Sequence, residues 1–283
     1  MWEFIIIAIL QGLFEWLPIS SSGQVMIISL GFLNILPVEA FSLSIWLHLG
    51  TTFAVIIKFR KDYIDIAKAF IPNRFNSNQI DIKKRNWLIF GTIGTAITAL
   101  PLYFLFKIII VGEFTAVQGD ILTLIISALL IITGIVLLRI KKMYGTKVIN
   151  NIIDKDLMKD SFLAGLFQGC AILPGISRSG FTVSTILFEK YEHENALKLS
   201  FLMSVPVAFA SIIIDILFGG SVFGILDPLT IIIITIVSFI IGYLTMELLL
   251  RISKKIQFGY FCILYGIIAW LVIFPIFIAT GIS

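Results

Sequence analysis

The chain has 283 residues, of which 59% are hydrophobic and 13% charged. Soluble domains carry roughly 25% charged residues, so this balance points to a membrane protein. The net charge of +4 comes from cations placed between apolar runs, the pattern of cytoplasmic membrane loops, and gives no ground for nucleic-acid binding. Cys170 and Cys262 lie in apolar stretches and read as small buried hydrophobes, without zinc or disulfide spacing.

The first apolar stretch, residues 2–36, lacks the positive start and small-residue cleavage site of a signal peptide and reads as part of the mature protein. Pro, Gly and Ser break it in the middle, which predicts two short helical arms rather than one span. Six later stretches approach the roughly 20 residues that cross a bilayer. They run from Phe41 to Ile57, Trp87 to Phe106, Ile121 to Leu138, Leu199 to Phe218, Leu229 to Leu250 and Phe258 to Ala279. Between the fourth of these and the third lies a second broken stretch, residues 161–190.

Loop charge sets the sidedness. The segment 58–86 carries Lys58, Arg60, Lys61, Lys68, Arg74, Lys83, Lys84 and Arg85, and 139–160 and 251–257 are basic as well. These loops are expected to face the cytoplasm, and the loops at 107–120 and 219–227, which hold one Lys between them, to face outside. Asp62 to Arg85 is polar enough to include an interfacial helix. With this sidedness, residues 161–190 start and end on the cytoplasmic side, which makes them a re-entrant hairpin.

The two broken stretches match each other. Gln11-Gly-Leu-Phe-Glu-Trp-Leu-Pro-Ile-Ser-Ser-Ser-Gly23 aligns without gaps on Gln168-Gly-Cys-Ala-Ile-Leu-Pro-Gly-Ile-Ser-Arg-Ser-Gly180 at an offset of 157 residues. Each half is then a hairpin, 2–36 or 161–190, followed by three spans. The expected organisation is an inverted-topology repeat, 1–157 and 158–283, within one all-α membrane domain of six spans and two re-entrant hairpins. Broken backbone at membrane depth is tolerated only where protein or a wet cavity covers it, so the two tips are the place to look for function.

The first tip offers Gln11, Glu15, Ser20, Ser21, Ser22, Gly23 and Gln24. Gln11 and Glu15 share a helix face, and a carboxylate at membrane depth is a functional group by default. Three serines alone would read as a capping turn. The second tip offers Gly175, Ser177, Arg178, Ser179, Gly180 and Thr182. Arg178 is the one cation between Lys159 and Lys190. Its planar fork suits phosphate, the hydroxyls add donors, and the glycines allow backbone N–H groups to approach. An internal salt bridge to Glu15 is the competing use of Arg178. Joined, the tips hold what phosphoryl transfer needs. Arg178 neutralises charge on the phosphoryl oxygens, and Glu15 activates Ser21 or a water, or holds a divalent cation. His48 reads as a packed, hydrogen-bonded histidine and His193 as a solvated one. Asp215 and Glu247, late in their spans, are expected to meet an interface or a helix partner.

The two tip sequences resemble the signature motifs of the undecaprenyl-diphosphatase, or bacitracin-resistance, family, and Leu47-His-Leu-Gly-Thr51 is similar to a further family segment. The resemblance covers the whole chain. It implies a multi-pass cell-membrane phosphatase that converts undecaprenyl diphosphate to the monophosphate and inorganic phosphate, recycling the lipid carrier of cell-wall polymers. Overproduction in that family confers bacitracin resistance. It places the motif acid on Glu15, the motif serine on Ser21 and the motif arginine on Arg178, and it implies support by Mg²⁺ or Ca²⁺. Many bacterial members have a histidine where this chain has Gln24, which cannot act as acid or base near neutral pH. The implied partners are the polyprenyl diphosphate and membrane lipids, and a homodimer is compatible with the sequence. The rival class is a transporter or flippase, since inverted repeats with broken helices also build transport sites.

Overall fold

The structure, a computed structural model, describes residues 2–17, 19–31, 33, 35–71, 78–110, 116–140, 145–219, 226–252 and 258–281. Among the described residues the fold is all-helical, with one isolated bridge between Lys147 and Tyr191. The first broken stretch forms α1 (Trp2–Phe14) and α2 (Ser21–Gly31). Then come α3 (Pro37–Lys58), α4 (Arg60–Ala69), α5 (Gln79–Ile110) and α6 (Ala116–Ile140). The second broken stretch forms α7 (Asp154–Gly169) and α8 (Arg178–Phe188). The chain continues through α9 (His193–Ile214), a π-helical turn at Asp215–Gly219, α10 (Pro228–Ile252) and α11 (Phe258–Gly281).

Four helices, α3, α5, α9 and α10, are long and apolar enough to cross a membrane. Their outward faces carry exposed Ile57, Leu105, Ile213 and Leu229, side chains that water would penalise and lipid accepts. The chain is therefore a membrane protein. Each predicted span falls on a helix, and the helix starts up to eight residues earlier, as Gln79 does before Trp87. At α3, Pro37 stands in the first turn after an extended Leu36, where its missing N–H is harmless. The second stretch becomes helical at Asp154, earlier than expected, and Asp154 and Asp156 suit the positive end of that helix. The segment expected to include an interfacial helix forms α4, separated from α3 by Phe59 alone; residues 72–77 of that segment lie outside the described ones.

The central helix is α3. Of its apolar window 72% is buried, against 28%, 44% and 33% for α5, α9 and α10, and its Ser42, Ser44, Thr51 and Thr52 are buried in protein. It packs on α10, α9 and α2, while α5 pairs with α7 and α6 with α11. One core cluster, with Ile7, Met26, Leu43, Leu47, Ile126 and Leu130, joins the first tip to α3 and α6. A second surrounds Trp87, Leu157 and Tyr191, and a third holds Trp16 against Phe201 and Met246. Asp215 and Glu247 both find helix partners. Asp215 accepts from Trp46 Nε1 at 3.1 Å and from Ser42, and Glu247 pairs with Lys58 at 3.2 Å.

Candidate active site

Both tips fold by the same local scheme. Ser20 Oγ accepts the Gly23 N–H at 3.3 Å, and Ser177 Oγ accepts the Gly180 N–H at 3.1 Å, so each serine caps the helix that follows it. Ser20 and Ser22 hydroxyls lie 3.4 Å apart, and those of Ser177 and Ser179 lie 3.3 Å apart. The tips then cross in direct contact. The Gly175 N–H donates to Ser20 Oγ at 3.1 Å, and Ser179 Oγ donates to the Leu17 carbonyl at 3.2 Å. A Cβ at Gly23 would sit 2.7 Å from Gly175 N, so the crossing admits no side chain there. Gly175 has φ +101° and Ser20 φ +56°. A left-handed serine costs on the order of 1–3 kcal/mol and persists because its hydroxyl holds two amides. Trp16 anchors the first tip by donating to the Gly242 carbonyl at 2.7 Å.

The crossing brings the ionisable groups together on Glu15, whose side chain is buried. Glu15 Oε2 accepts from Gln11 Nε2 at 2.6 Å and from Ser21 Oγ at 2.7 Å. Glu15 Oε1 is paired with the Arg178 guanidinium of the opposite tip. A buried carboxylate with this set of donors has its hydrogen-bonding capacity filled, with a serine hydroxyl already aimed at it. The internal salt bridge weighed above as a rival use of Arg178 therefore forms, inside the same cluster. Around these groups lies a narrow cleft lined by Glu15, Ser20, Ser21, Ser22, Ser177 and Arg178, and also by His48 of α3. It offers about 20 Å³ to a water centre, room for about one water. Helices α2 and α8 both begin at this cleft, which adds the positive ends of two helix dipoles.

A profile of the bacitracin resistance protein BacA family matches residues 4–271. The chain belongs to the BacA family. It is 37% identical over 271 residues to a protein of Methanothrix thermoacetophila named undecaprenyl-diphosphatase, covering 94% of each chain. Proteins with the same name from Methanococcoides burtonii and Haloarcula marismortui are 34% and 30% identical, covering 96% and 93% of this chain and 98% and 93% of their own.

Within this BacA-family chain the structure does not bring every expected residue to the cleft. Gln24 is buried, and its amide donates to the Ile19 carbonyl at 3.1 Å, which ties it to the turn and away from the cleft. Thr182 bonds back to the Arg178 carbonyl at 2.7 Å and lies 3.3 Å from Gln168 Oε1, so its hydroxyl is used inside the second arm. The amides of Gly23, Gly175 and Gly180 are engaged by Ser20 and Ser177. The donors that line the cleft are thus Arg178 and the hydroxyls of Ser21, Ser22 and Ser177. His48, expected to be a packed, hydrogen-bonded histidine, is that and is also a neighbour of Glu15. Its Nδ1 does meet the Ser44 carbonyl at 2.6 Å, but its Nε2 lies 3.3 Å from Glu15 Oε2. No motif spacing links His48 to Glu15; the signal available was its place as the one ionisable residue between Phe41 and Ile57. His193, at the start of α9, is half-buried rather than solvated.

The cleft does not fit a resident divalent cation. Among the described residues no three His, Cys, Asp or Glu side chains converge. Both oxygens of Glu15 are already engaged, one of them by a guanidinium that would repel a metal ion.

Proposed function

We propose that this protein is a polyprenyl-diphosphate phosphatase that hydrolyses undecaprenyl diphosphate, or a close polyprenyl relative, to the monophosphate and inorganic phosphate. The observation that carries the reading is Glu15, which receives the Ser21 hydroxyl on one oxygen and the Arg178 guanidinium on the other. The family and the name of its curated relatives agree with this chemistry and do not favour the transporter alternative.

In the mechanism, the terminal phosphoryl group takes over Arg178 from Glu15 and lies against Ser21. Glu15 accepts the Ser21 proton as Oγ attacks phosphorus, and the prenyl monophosphate leaves. Arg178 stabilises the charge on the equatorial oxygens, with Ser22 and Ser177 as further donors. Gln11 holds Glu15 in place through its amide. Water then cleaves the phosphoserine. A divalent cation belongs with the diphosphate oxygens, as part of the substrate.

The tail has a route. The cleft adjoins a chamber of about 60 Å³ bounded by Phe41, Ile45 and Ala208, and then an almost wholly apolar one of about 90 Å³ between α5 and α9, lined by Leu100, Tyr103 and Ile214. These chambers lie toward the α5 and α9 ends that loop charge assigns to the outside, so the cleft opens on the outer half of the plasma membrane. The arms α1, α2, α7 and α8 have 13, 11, 16 and 11 residues. At 1.5 Å per residue each is shorter than the roughly 30 Å hydrocarbon core, which supports two re-entrant hairpins and six spans in an inverted repeat of 1–157 and 158–283.

The test is phosphate release from undecaprenyl and farnesyl diphosphates by purified protein, with Mg²⁺ varied and Arg178→Ala and Glu15→Ala alongside. Release by the wild type and its loss in both variants is expected. A folded protein that releases none, or variants that still move the lipid in proteoliposomes, would replace this reading with transport.

A further inference from the structure

Ser22, His48 and Arg178 line both the phosphate cleft and the chamber that leads to the apolar tail route. A diphosphate whose terminal phosphorus faces Ser21 must therefore pass its bridging oxygen through the boundary where His48 stands. This boundary is where the leaving group forms, and His48 is its one side chain that exchanges a proton near neutral pH.

The hydrogen bonds of His48 define its protonation. The Ser44 carbonyl only accepts, so Nδ1 carries a hydrogen. Nε2 then faces Glu15 Oε2 at 3.3 Å, and a bare ring nitrogen opposite a carboxylate oxygen would set two acceptors against each other. A proton on Nε2 is the arrangement in which the two attract rather than repel. Of the charged groups on elements packed around α3, Glu15 and Arg178 face His48. Asp215 is held by Ser42 and Trp46 on another side of the helix, and Glu247 is met by Lys58 at its far end.

We propose that His48 is a catalytic residue of this site, the general acid that protonates the departing prenyl monophosphate and the base that activates water in the second step. The proposal rests on Ser21 being the nucleophile. In the first step the Ser21 Oγ–phosphorus bond forms and the bond from phosphorus to the bridging oxygen breaks. The Ser21 proton goes to Glu15, and the Nε2 proton of His48 goes to the bridging oxygen. In the second step a water oxygen bonds to phosphorus and the phosphorus–Oγ bond breaks. The water proton returns to His48 Nε2, and the Glu15 proton returns to Ser21. The pair ends as it began, a carboxylate beside an imidazolium. Gln24 needs no proton chemistry in this scheme, because the imidazole comes from a different helix.

The experiment compares wild type with His48→Gln and His48→Asn, measuring phosphate release from farnesyl diphosphate from about pH 5 to about pH 9. Asn keeps a donor near the Ser44 carbonyl, and Gln reaches toward the position of Nε2 without carrying a proton. Both variants are expected to lower kcat by about 10²–10³-fold with little change in KM, and to lose the alkaline limb of the pH profile while keeping the acidic limb. Nitrogen NMR of histidine-labelled protein, simplified by the two histidines of the chain, should show both His48 nitrogens protonated at neutral pH in the free enzyme and independently of turnover. Variants with a wild-type kcat and an unchanged alkaline limb, or an NMR spectrum with a bare Nε2, would overturn the role of His48 alone. A folded wild type that releases no phosphate would overturn the phosphatase reading, and this acid role with it.

Discussion

The two tips share a backbone plan and differ in charge. In each, a serine caps the following helix through the amide three residues on, and a second serine hydroxyl lies close by. Yet Ser21 and Arg178 occupy equivalent positions of the aligned motifs, and Glu15 is matched by Ile172. The glutamines diverge in use as well. Gln11 supports Glu15, whereas Gln168 donates to Thr95 Oγ1 at 3.2 Å and meets Thr182 within its own half. One tip thus supplies the carboxylate and a serine hydroxyl bonded to it, and the other the cation, so neither holds the whole cluster by itself. Crossing them also lets each charge offset the other, which a buried carboxylate or guanidinium requires.

Arg178→Ala tests this division most severely. Phosphate release should fall by about 10³–10⁵-fold, with only partial recovery in Arg178→Lys because an ammonium lacks the planar fork. Loss of Ser21 follows. Ser21→Ala should cost about 10³-fold or more and leave no phosphoenzyme on acid quench; labelled phosphoenzyme in that variant would place the nucleophile elsewhere. Gly23→Ala pushes a methyl into Gly175 N without touching a reacting group. It should separate the tips, destabilise by about 1–3 kcal/mol and lower kcat, read by thermal melting and steady-state rates together. A finer comparison sets Ser177→Ala, which removes one cap at about 1 kcal/mol, against Ser20→Ala, which also leaves the Gly175 N–H unpaired. Melting temperature should drop further in Ser20→Ala; equal drops would mean that the tip-to-tip bond contributes little.

The smallest effect lies outside the tips. Burial opposes ionisation of Asp62, but Lys84 at 2.8 Å and Lys198 at 2.9 Å outweigh it and hold the carboxyl below its ordinary range. A depressed folded-state value stabilises the protein above the ordinary 3.8, and that contribution disappears as pH falls through the folded value. Asp62→Asn should therefore lower the melting temperature by a few degrees at neutral pH and make no difference in strong acid, with turnover unchanged.

Much of this was legible in the sequence. Composition and run length establish helices in a membrane, because hydrocarbon leaves backbone groups no partner outside the helix. Pro, Gly and Ser mark the breaks, and the offset match between Gln11–Gly23 and Gln168–Gly180 marks the tips and the residues worth attention. Glu15, Ser21 and Arg178 were readable in this way because their residue types are costly or unusual at that depth. What the sequence could not order was distance between residues far apart in the chain. Only the tertiary structure decided that Arg178 meets Glu15, that Gln24 and Thr182 turn away, and that His48 joins the cleft. A histidine on an apolar helix has the same local pattern whether it faces packing or a carboxylate. The choice was made by α3 lying at the centre of the bundle, where the side of the helix that carries His48 is pressed against the crossing of the two tips.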